Sequence, residues 1–552
     1  MFASTTSRRR RSLAAALGLA SLVLAGCSAD VGDLDVVLVY TAAEDGQPLD
    51  FASGRVTRLR VRLAGEDLDE RVEEFSPGAD RVAALSGVPV GAGRVLTVEG
   101  LDAADRPYSR GKSLPFETRS GAQRLFLYIG VLGRSGAFSG PPAVSESLHP
   151  DWRQRYRTSM RSECPAGDTD CQLSGAGRVF HLGATLSDGR VLVGGGRAAA
   201  DFQDPMARVS SRGLLTLERF DPSAGAFLLD DIRPACDPGD RMCLRQPRAF
   251  FGAAALSSAE TWLFVGGEPA GEVAVEIFSE TSLSSHPGPE ARDRTRHVTQ
   301  GLPGGGVLVA GGMDPSGTVL SDAEIYDEER GSFAAAPFSL SGPRSGAASV
   351  STDGDIYVIG GWEAWESWPG DGVPLRRASA RVDRLRRAGD RWEASSFSLR
   401  RPRAEHTATL LAAENPGEVR ILVCGGLRDA VSVEDTCEMV DGESGASDII
   451  AGLQFERFGH TATALLDGRV LLAGGFGGGA QPVAYNTALL LTPRGAFARE
   501  MVPMLARRAG HSATLLGNGN VLLVGGTGDP AVVSGREIRL TPQVPYEIFI
   551  PR

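Results

Sequence analysis

The chain contains 552 residues, including 70 Gly and 32 Pro, and carries a formal net charge of −11 at pH 7. Its hydrophobic content of 42% is that of a globular protein, which excludes a mostly disordered chain, and its length exceeds that of one ordinary domain. Because the net charge is negative and no basic face stands out, we expect no nucleic-acid partner.

The first 27 residues have the pattern of a secretion signal. A basic run from Arg8 to Arg11 precedes an apolar stretch from Leu13 to Leu24, which is too short to span a bilayer as a stable helix. The stretch ends in Leu24-Ala25-Gly26-Cys27, which resembles the lipobox of bacterial lipoproteins. That resemblance implies that residues 1–26 are a signal peptide and that a lipidated Cys27 anchors the chain in the cell envelope, at the outer membrane or the periplasmic face. The alternatives are a chance cysteine after an ordinary signal, or a single transmembrane anchor.

The six remaining cysteines fall in pairs that are close in sequence. An even number of cysteines at short spacing in an exported chain indicates disulfides. The Cys-x6-Cys spacing is not that of a zinc site, and no histidine lies nearby to complete one. The sequence therefore predicts three local disulfides, between Cys164 and Cys171, Cys236 and Cys243, and Cys424 and Cys437.

Residues 34–133 have a different sequence pattern from the rest of the chain. Short runs such as Val56 to Leu63 and Arg124 to Ile129 alternate apolar and polar residues, which is the period of half-buried strands. Gly and Pro turns separate these runs, which favours a small β-sandwich. The stretch from Gly87 to Val98 resembles PEGA-type or carboxypeptidase-regulatory modules. Residues 134–175 are predicted to be a linker that holds the first cysteine pair.

From Arg178 onward the sequence repeats a short pattern. A Gly-Gly pair closes an apolar strand seven times, and segments 459–475 and 510–526 each show two strands joined by a turn of the Asp-Gly or Asn-Gly type. This pattern resembles the kelch repeat, including the kelch-type propeller of the galactose oxidase family. The resemblance implies an all-β fold in which a seven-bladed kelch-type β-propeller over residues 176–552 follows the small β-sandwich domain. The pairs are Gly195-Gly196, Gly266-Gly267, Gly311-Gly312, Gly360-Gly361, Gly425-Gly426, Gly474-Gly475 and Gly525-Gly526.

Three further marks recur in the repeat. An arginine opens every unit, an acid follows in the third strand of six units, and an aromatic residue comes nine positions later in five units. The arginines are Arg178, Arg248, Arg294, Arg344, Arg403, Arg457 and Arg508; the acids are Glu218, Glu276, Glu324, Asp383, Glu438 and Glu537, with Ala488 in the sixth unit; the aromatics are Phe227, Phe333, Trp392, Phe497 and Tyr546. We expect one structural ion pair per blade, with an anion-binding funnel as the alternative.

The last aromatic residue leads to a prediction about ring closure. It places the segment from Tyr546 to Pro551 in the fourth strand of the seventh blade. All seven blades would then have their strands in sequence, and no strand from the opposite end of the chain would be needed. Side-chain packing between blades one and seven would close the ring.

A second periodic position lies three residues after each opening arginine. Histidine occupies it in five units, which suggests either a metal or catalytic centre on the axis, or a packing and hydrogen-bonding role that the kelch motif commonly gives to this residue. Phe251 and Ala347 interrupt the ring without a compensating ligand, so we expect packing, and predict neither a metal nor a cofactor. The histidines are His181, His297, His406, His460 and His511.

Enzyme activity has no positive support in the sequence, and no catalytic residue is predicted. The copper site of the galactose oxidase family needs Tyr and His ligands and a Tyr cross-linked to a Cys, and those residues do not carry over to this chain. The sequence also lacks a Gly-x-Ser-x-Gly elbow, a phosphate-binding loop and a His-Glu-x-x-His segment.

One face of the predicted propeller is the candidate binding surface. In an antiparallel blade the first strand begins on the face where the second ends, so the Arg and His rings and the loops between second and third strands share that face. Three tryptophans, Trp362, Trp365 and Trp368, lie in the loop of blade four, where they either bind a partner or cap the loop.

We therefore expect a monomeric, membrane-tethered module that binds an envelope protein or glycan through this face, including its Arg and His rings. The alternatives are an enzyme acting on surface carbohydrate, such as a divergent oxidase or a mutarotase-like activity that uses the channel, and an architectural envelope component. The fold alone does not choose among these functions.

Overall fold

The computed structural model describes residues 30–40, 54–77, 82–136, 155–157, 178–198, 214–229, 236, 238–258, 260–268, 273–365, 376–389, 391–478, 482–493, 498–528, 530–533, 537–540 and 546–552. Within these ranges the regular elements are β-strands, and none of the residues belongs to a helix that could cross a membrane. The predicted signal peptide, Cys27, the predicted Cys164–Cys171 disulfide and Trp368 lie outside the described residues.

The N-terminal region forms one eight-stranded sheet. Its strands are β1 (Val31–Tyr40), β2 (Arg58–Gly65), β3 (Leu68–Phe75), β4 (Val82–Pro89), β5 (Gly91–Leu101), β6 (Pro107–Lys112), β7 (Phe116–Thr118) and β8 (Gly121–Val131). The order is β3-β2-β5-β6-β8-β1-β4, with β7 paired to β5, and β1 runs parallel to β8. Alternate residues of β2 such as Val61 pack with Val36 of β1 and Leu127 of β8, so both ends of the sheet share one apolar core.

Two short strands follow the sheet, and the first four blades come next. The two are β9 (Arg134–Gly136) and β10 (Tyr156–Arg157). The strands of blades one to four are β11 (Arg178–Val179), β12 (Leu182–Thr185), β13 (Val191–Gly194), β14 (Arg197–Ala198), β15 (Leu217–Asp221), β16 (Ala226–Leu228), β17 (Gly252–Ala255), β18 (Thr261–Val265), β19 (Val275–Ser279), β20 (Ser284–Pro287), β21 (Val298–Gly301), β22 (Val307–Ala310), β23 (Asp322–Asp327), β24 (Ser332–Ser339), β25 (Ala348–Ser351), β26 (Asp355–Ile359), β27 (Trp362–Trp365), β28 (Arg376–Ala378), β29 (Arg381–Ala388) and β30 (Arg391–Ser398).

Blades five to seven complete the propeller. Their strands are β31 (Thr407–Leu411), β32 (Arg420–Cys424), β33 (Thr436–Asp441), β34 (Ser447–Gly452), β35 (Thr461–Ala464), β36 (Val470–Ala473), β37 (Phe476–Gly477), β38 (Val483–Ala484), β39 (Thr487–Thr492), β40 (Ala498–Pro503), β41 (Ser512–Leu515), β42 (Val521–Val524), β43 (Pro530–Val533), β44 (Glu537–Leu540) and β45 (Tyr546–Ile550). The blade sheets are β12-β13-β15-β16, β17-β18-β19-β20, β21-β22-β23-β24, β25-β26-β29-β30, β31-β32-β33-β34, β35-β36-β39-β40 and β41-β42-β45. The predicted seven-bladed all-β architecture is confirmed.

Within the described residues, four two-stranded ribbons extend from one face of the propeller. They are the pairs β11–β14, β27–β28, β37–β38 and β43–β44, in blades one, four, six and seven. In blades four, six and seven the ribbon is the connection between the second and third strands, and in blade one β14 follows the second strand. We call this side of the propeller the ribbon face.

The prediction that no strand is borrowed is wrong. The segment Tyr546–Ile550 pairs with β42 and is therefore the third strand of blade seven, while the fourth is β9, from the other end of the chain. Gly133 also donates from its amide to the carbonyl of Ile550, at 2.6 Å. The predicted linker thus supplies the outer strand of blade seven, and β10 adds a fifth strand to blade one.

The N-terminal sheet packs over the seam between blades one and seven. Tyr128 of β8 shares a buried cluster with Phe227 of blade one and Tyr546 of blade seven. The Tyr546 hydroxyl donates to the carbonyl of Gly225 at 2.9 Å, and Asn518 of blade seven donates to the carbonyls of Lys112 and Pro222. Sheet and propeller therefore share one continuous core at the point where the ring closes.

Buried rings and the candidate binding face

A closed ring of seven backbone hydrogen bonds surrounds the propeller axis. At the second position after each opening arginine, the amide of one blade donates to the carbonyl of the equivalent residue in the preceding blade, over 2.9–3.3 Å. All seven residues have a positive φ, between 52° and 63°. They are Phe180, Phe250, Arg296, Gly346, Glu405, Gly459 and Gly510.

The four non-glycine members of this ring fill its centre. The rings of Phe180 and Phe250 stack with centroids 4.0 Å apart, and the Arg296 guanidinium lies 3.6 Å from the centroid of Phe250. Arg296 Nη1 also contacts Glu405 Oε1 at 3.3 Å. A Cβ added at Gly346 would lie 2.6 Å from that Glu405 oxygen, so glycine makes room for the ion pair. Sequence reasoning missed these residues, although their place in the repeat, adjacent to the histidine position, could have identified them.

The Gly-Gly pairs form a second closed ring. The amide of each second glycine donates to the carbonyl of the arginine that opens the next blade, over 2.6–2.9 Å. A Cβ on Gly425 would lie 2.4 Å from the carbonyl oxygen of Arg457, and one on Gly426 would lie 2.7 Å from the Cβ of His406. Each pair therefore permits a close contact with the next blade and another within its own blade.

The opening arginines are buried and tie strands together. Each guanidinium Nη1 donates to the carbonyl of the first glycine of its own blade, over 2.6–3.1 Å. In six blades another guanidinium nitrogen meets a third-strand carboxylate at 2.6–2.9 Å, as expected for a structural ion pair. All seven arginines are at most 2% exposed, so they lie beneath the surface that a partner would contact.

Two residues of this predicted pattern were misassigned. In blade seven the carboxylate that meets Arg508 belongs to Glu547, not to Glu537, since Tyr546–Ile550 is the third strand. In the other blades the acid pairs across the strands with the residue that lies two positions before the Gly-Gly pair. In blade six that residue is Leu472, and it pairs with Leu489. The equivalent of the acid is therefore Leu489 rather than Ala488. Insertions in the loops change the number of residues between the repeated positions, so counting along the chain gave the wrong residue in both blades.

Three of the five histidines of the ring form hydrogen bonds between neighbouring blades. These three bond through Nε2 to a hydroxyl of the preceding blade at 2.9–3.0 Å: His181 to Ser512, His460 to Thr407, and His511 to Thr461. His297 and His406 make no such bond, since the preceding blades have Gly252 and Ala348 at the hydroxyl position.

The electrostatic environment keeps these histidines neutral. Burial, reinforced by the adjacent arginine, lowers the pKa of His297, His406 and His511 to about 3, and that of His181 and His460 well below its usual range. No group of three or more potential metal ligands occurs among the residues that the structure describes. The geometry of the ring is that of packing and inter-blade hydrogen bonding.

The ribbon face has an apolar layer of its own. Trp362, which is fully buried, packs in one cluster with Leu427 and Val433 of blade five and with Phe458 and Phe476 of blade six. Trp362 therefore caps its loop, the second of the two interpretations of the tryptophans. The backbone of Trp365 pairs with Arg376 in the β27–β28 ribbon, and its side chain lies outside the described part of the chain.

Above this layer, apolar side chains reach solvent. Phe455 is 39% exposed, Val431 45% and Val483 44%, and the Phe455 ring contacts that of Tyr485 with centroids 5.9 Å apart. Phe455 lies in the connection before Arg457, Tyr485 belongs to blade six, and Val483 lies on its β37–β38 ribbon. This edge of the ribbon face thus presents exposed apolar surface above a buried apolar layer.

Two of the three predicted disulfides are confirmed. Cys424 and Cys437 are opposite each other on the second and third strands of blade five, with Cα atoms 4.2 Å apart. Cys236 and Cys243 are seven positions apart and form a disulfide in the connection between blades one and two. Both crosslinks are local, so they stabilise individual blades and connections.

Known proteins resemble this chain in limited ways. A family model described as Kelch motif matches residues 343–375. An F-box/kelch-repeat protein of Arabidopsis thaliana is 44% identical over 54 residues, which cover 10% of this chain and 12% of that protein's length. The structure of YjhT matches 59% of this chain and 97% of its own chain, at 13% identity and a TM-score of 0.42. The Kelch motif and the seven blades together make this a kelch-type propeller.

Proposed function

We propose that this protein is a membrane-tethered binding module of the bacterial cell envelope, and that its ribbon face binds a protein or glycan partner. The observation that carries the proposal is the exposed apolar surface of Val431, Phe455 and Val483, which lies above the buried Trp362 layer. Rigid scaffolds that present loops are typical binding surfaces, and exposed apolar groups supply contact area.

The surroundings of this edge favour a protein over a glycan. Phe455 and Val483 offer apolar area of the kind found at the centres of protein interfaces. The ring of Trp362 is fully buried and is not available for stacking on a sugar. The propeller would thus act as a platform for an envelope protein.

The proposed tether would hold the sheet close to the membrane. Only residues 28–30 separate Cys27 from the start of β1 at Val31, so four extended Cα–Cα steps reach about 14 Å. A lipid on Cys27 would therefore keep the N-terminal sheet at the bilayer surface. Changing Cys27 to Ser should move the protein from the membrane fraction to the soluble fraction, and an unchanged distribution would contradict the tether.

A photo-crosslinking experiment tests the binding face. A photoreactive residue at Val483 should give specific crosslinked products in intact cells, and the additional change Phe455→Ala should reduce their yield. The matched control is Leu466, which is 77% exposed in the turn between the first two strands of blade six, on the opposite face. Identical products from positions 483 and 466 would refute the proposal, and products that disappear on glycan cleavage would identify a glycan partner.

A further inference from the structure

Blade six contains a buried arginine without a carboxylate. Arg457 is fully buried, and its Nη1 donates to the carbonyl of Gly474 at 2.9 Å, so the guanidinium sits where the other six do. The residue in the place of the acid is Leu489, which is also buried. The other six blades neutralise this buried charge with a carboxylate, whereas blade six leaves it without one.

Three hydrogen-bond donors at this position lack a partner. Nε and Nη2 of Arg457 and Oγ1 of Thr487 are all buried, and none of them makes a hydrogen bond. In blades one and five the corresponding hydroxyls of Thr216 and Thr436 accept from the arginine Nη2, at 3.0 and 2.7 Å. Since the guanidinium only donates, the unfilled position calls for an acceptor, and preferably one with a negative charge.

The connection before Arg457 has also changed in blade six. In blades five and seven the backbone amides of Arg401 and Ala506 donate to the third-strand carboxylate. The equivalent amide, that of Phe455, donates instead to the carbonyl of Leu453 across a tight turn in which Gln454 has a φ of 65°. The backbone has therefore adjusted to the missing carboxylate, whereas the guanidinium has not been replaced.

The surroundings keep the arginine charged. Burial lowers the pKa of Arg457 to about 10, so the group remains protonated at neutral pH. The guanidinium carbon of Arg457 lies 5.1 Å from the centroid of the Tyr485 ring. This ring offers the guanidinium an aromatic face but carries no negative charge. Leu489 has no counterpart of the two carboxylate oxygens that its equivalents carry in the other six blades. Thr487 and Tyr485 are partly exposed, so this position lies close to the protein surface.

We propose that a small monovalent anion of halide size, chloride under physiological conditions, binds beside Arg457 and Thr487 and takes the place of the missing carboxylate of blade six. The anion would accept from Nε, Nη2 and Oγ1 and neutralise the buried charge. The site is a property of blade six and does not depend on the proposed binding of a partner by the ribbon face.

Bromide is the probe that tests this site. Crystals of the wild-type protein soaked in sodium bromide should show an anomalous peak within hydrogen-bonding distance of Arg457 and Thr487. In solution, exchange of sodium gluconate for sodium bromide at constant ionic strength should stabilise the protein against urea. A bromide concentration ten times its dissociation constant corresponds to about an elevenfold larger folding constant.

The Leu489→Glu variant supplies the comparison, because it restores the carboxylate that the other blades have. The proposal expects this variant to lose the bromide response and the anomalous peak. An equal bromide response in both proteins would overturn it. Absence of a peak beside Arg457 in wild-type crystals would overturn it as well, and this measurement does not require the variant to fold.

Discussion

Glu438 in blade five offers a direct test of what the buried ion pairs contribute to stability. Its carboxylate is fully buried and accepts from the amides of Arg400 and Arg401, from Nε and Nη2 of Arg403 and from the Ser447 hydroxyl, over 2.7–3.1 Å. Changing Glu438 to Leu, the residue that blade six has, would leave a buried guanidinium without a counter-charge, and its Nε and two backbone amides without acceptors. We expect a loss of about 3–5 kcal/mol, the usual cost of removing one partner of a buried pair.

Equilibrium urea unfolding, followed by tryptophan fluorescence, measures this loss. The matched control is Asp448→Ala, which removes a pair with Arg400 whose side chains are 62% and 76% exposed, and which should cost at most about 1 kcal/mol. Adding Arg403→Met to Glu438→Leu should recover part of the stability, because it removes the uncompensated charge. The reasoning is refuted if Glu438→Leu costs no more than the control, or if the second change recovers nothing.

Three further outcomes are expected. Below pH 6.5 the folded protein binds fewer protons than the unfolded chain, because the pKa of His297 is lowered to about 3, so stability falls as the pH drops towards 3. His297→Phe should make that slope shallower by about 1.4 kcal/mol per pH unit in urea titrations, and His286→Gln, at an exposed position, is the comparison; an unchanged slope would contradict the assignment. Replacing both Cys424 and Cys437 by Ala should cost about 3 kcal/mol in the same assay, and a cost near zero would count against a stabilising role. In hydrogen-exchange mass spectrometry the amides of Tyr546–Ile550 should be protected like those of other inner strands, whereas rapid exchange at alternate amides would mean that this strand is an edge.

The repeated contacts of the blades explain why so much of the fold could be predicted. Each second glycine must lie against the neighbouring side chain and donate to the next arginine, so Gly426 and its equivalents recur at a fixed place in every unit. The same holds for pairs such as Arg403 and Glu438, whose burial leaves few alternatives. Because the same contact recurs in each of the seven blades, the residues that make it recur at regular positions in the sequence.

The positions where prediction failed are those where the repeat is uneven. The choice between Ala488 and Leu489, and between Glu537 and Glu547, depends on how many residues the preceding ribbon contains. Counting along the chain cannot resolve that number, whereas the pairing of Leu472 with Leu489 does. Trp362 was ambiguous for a related reason, since an aromatic residue in a loop has the same pattern whether it is exposed or capped.

The sequence by itself determined the number of blades, their Gly-Gly contacts and most of their ion pairs, because side-chain chemistry specifies each of these. Only the tertiary structure decided how the ring closes and what fills its axis. The strand Arg134–Gly136 pairs with blade seven through backbone groups that every residue possesses. The three residues of this strand therefore show no sequence pattern that would identify the strand they pair with. The contact of Arg296 with Phe250 and Glu405 likewise joins three different blades, and its residues meet only once the backbone ring has closed.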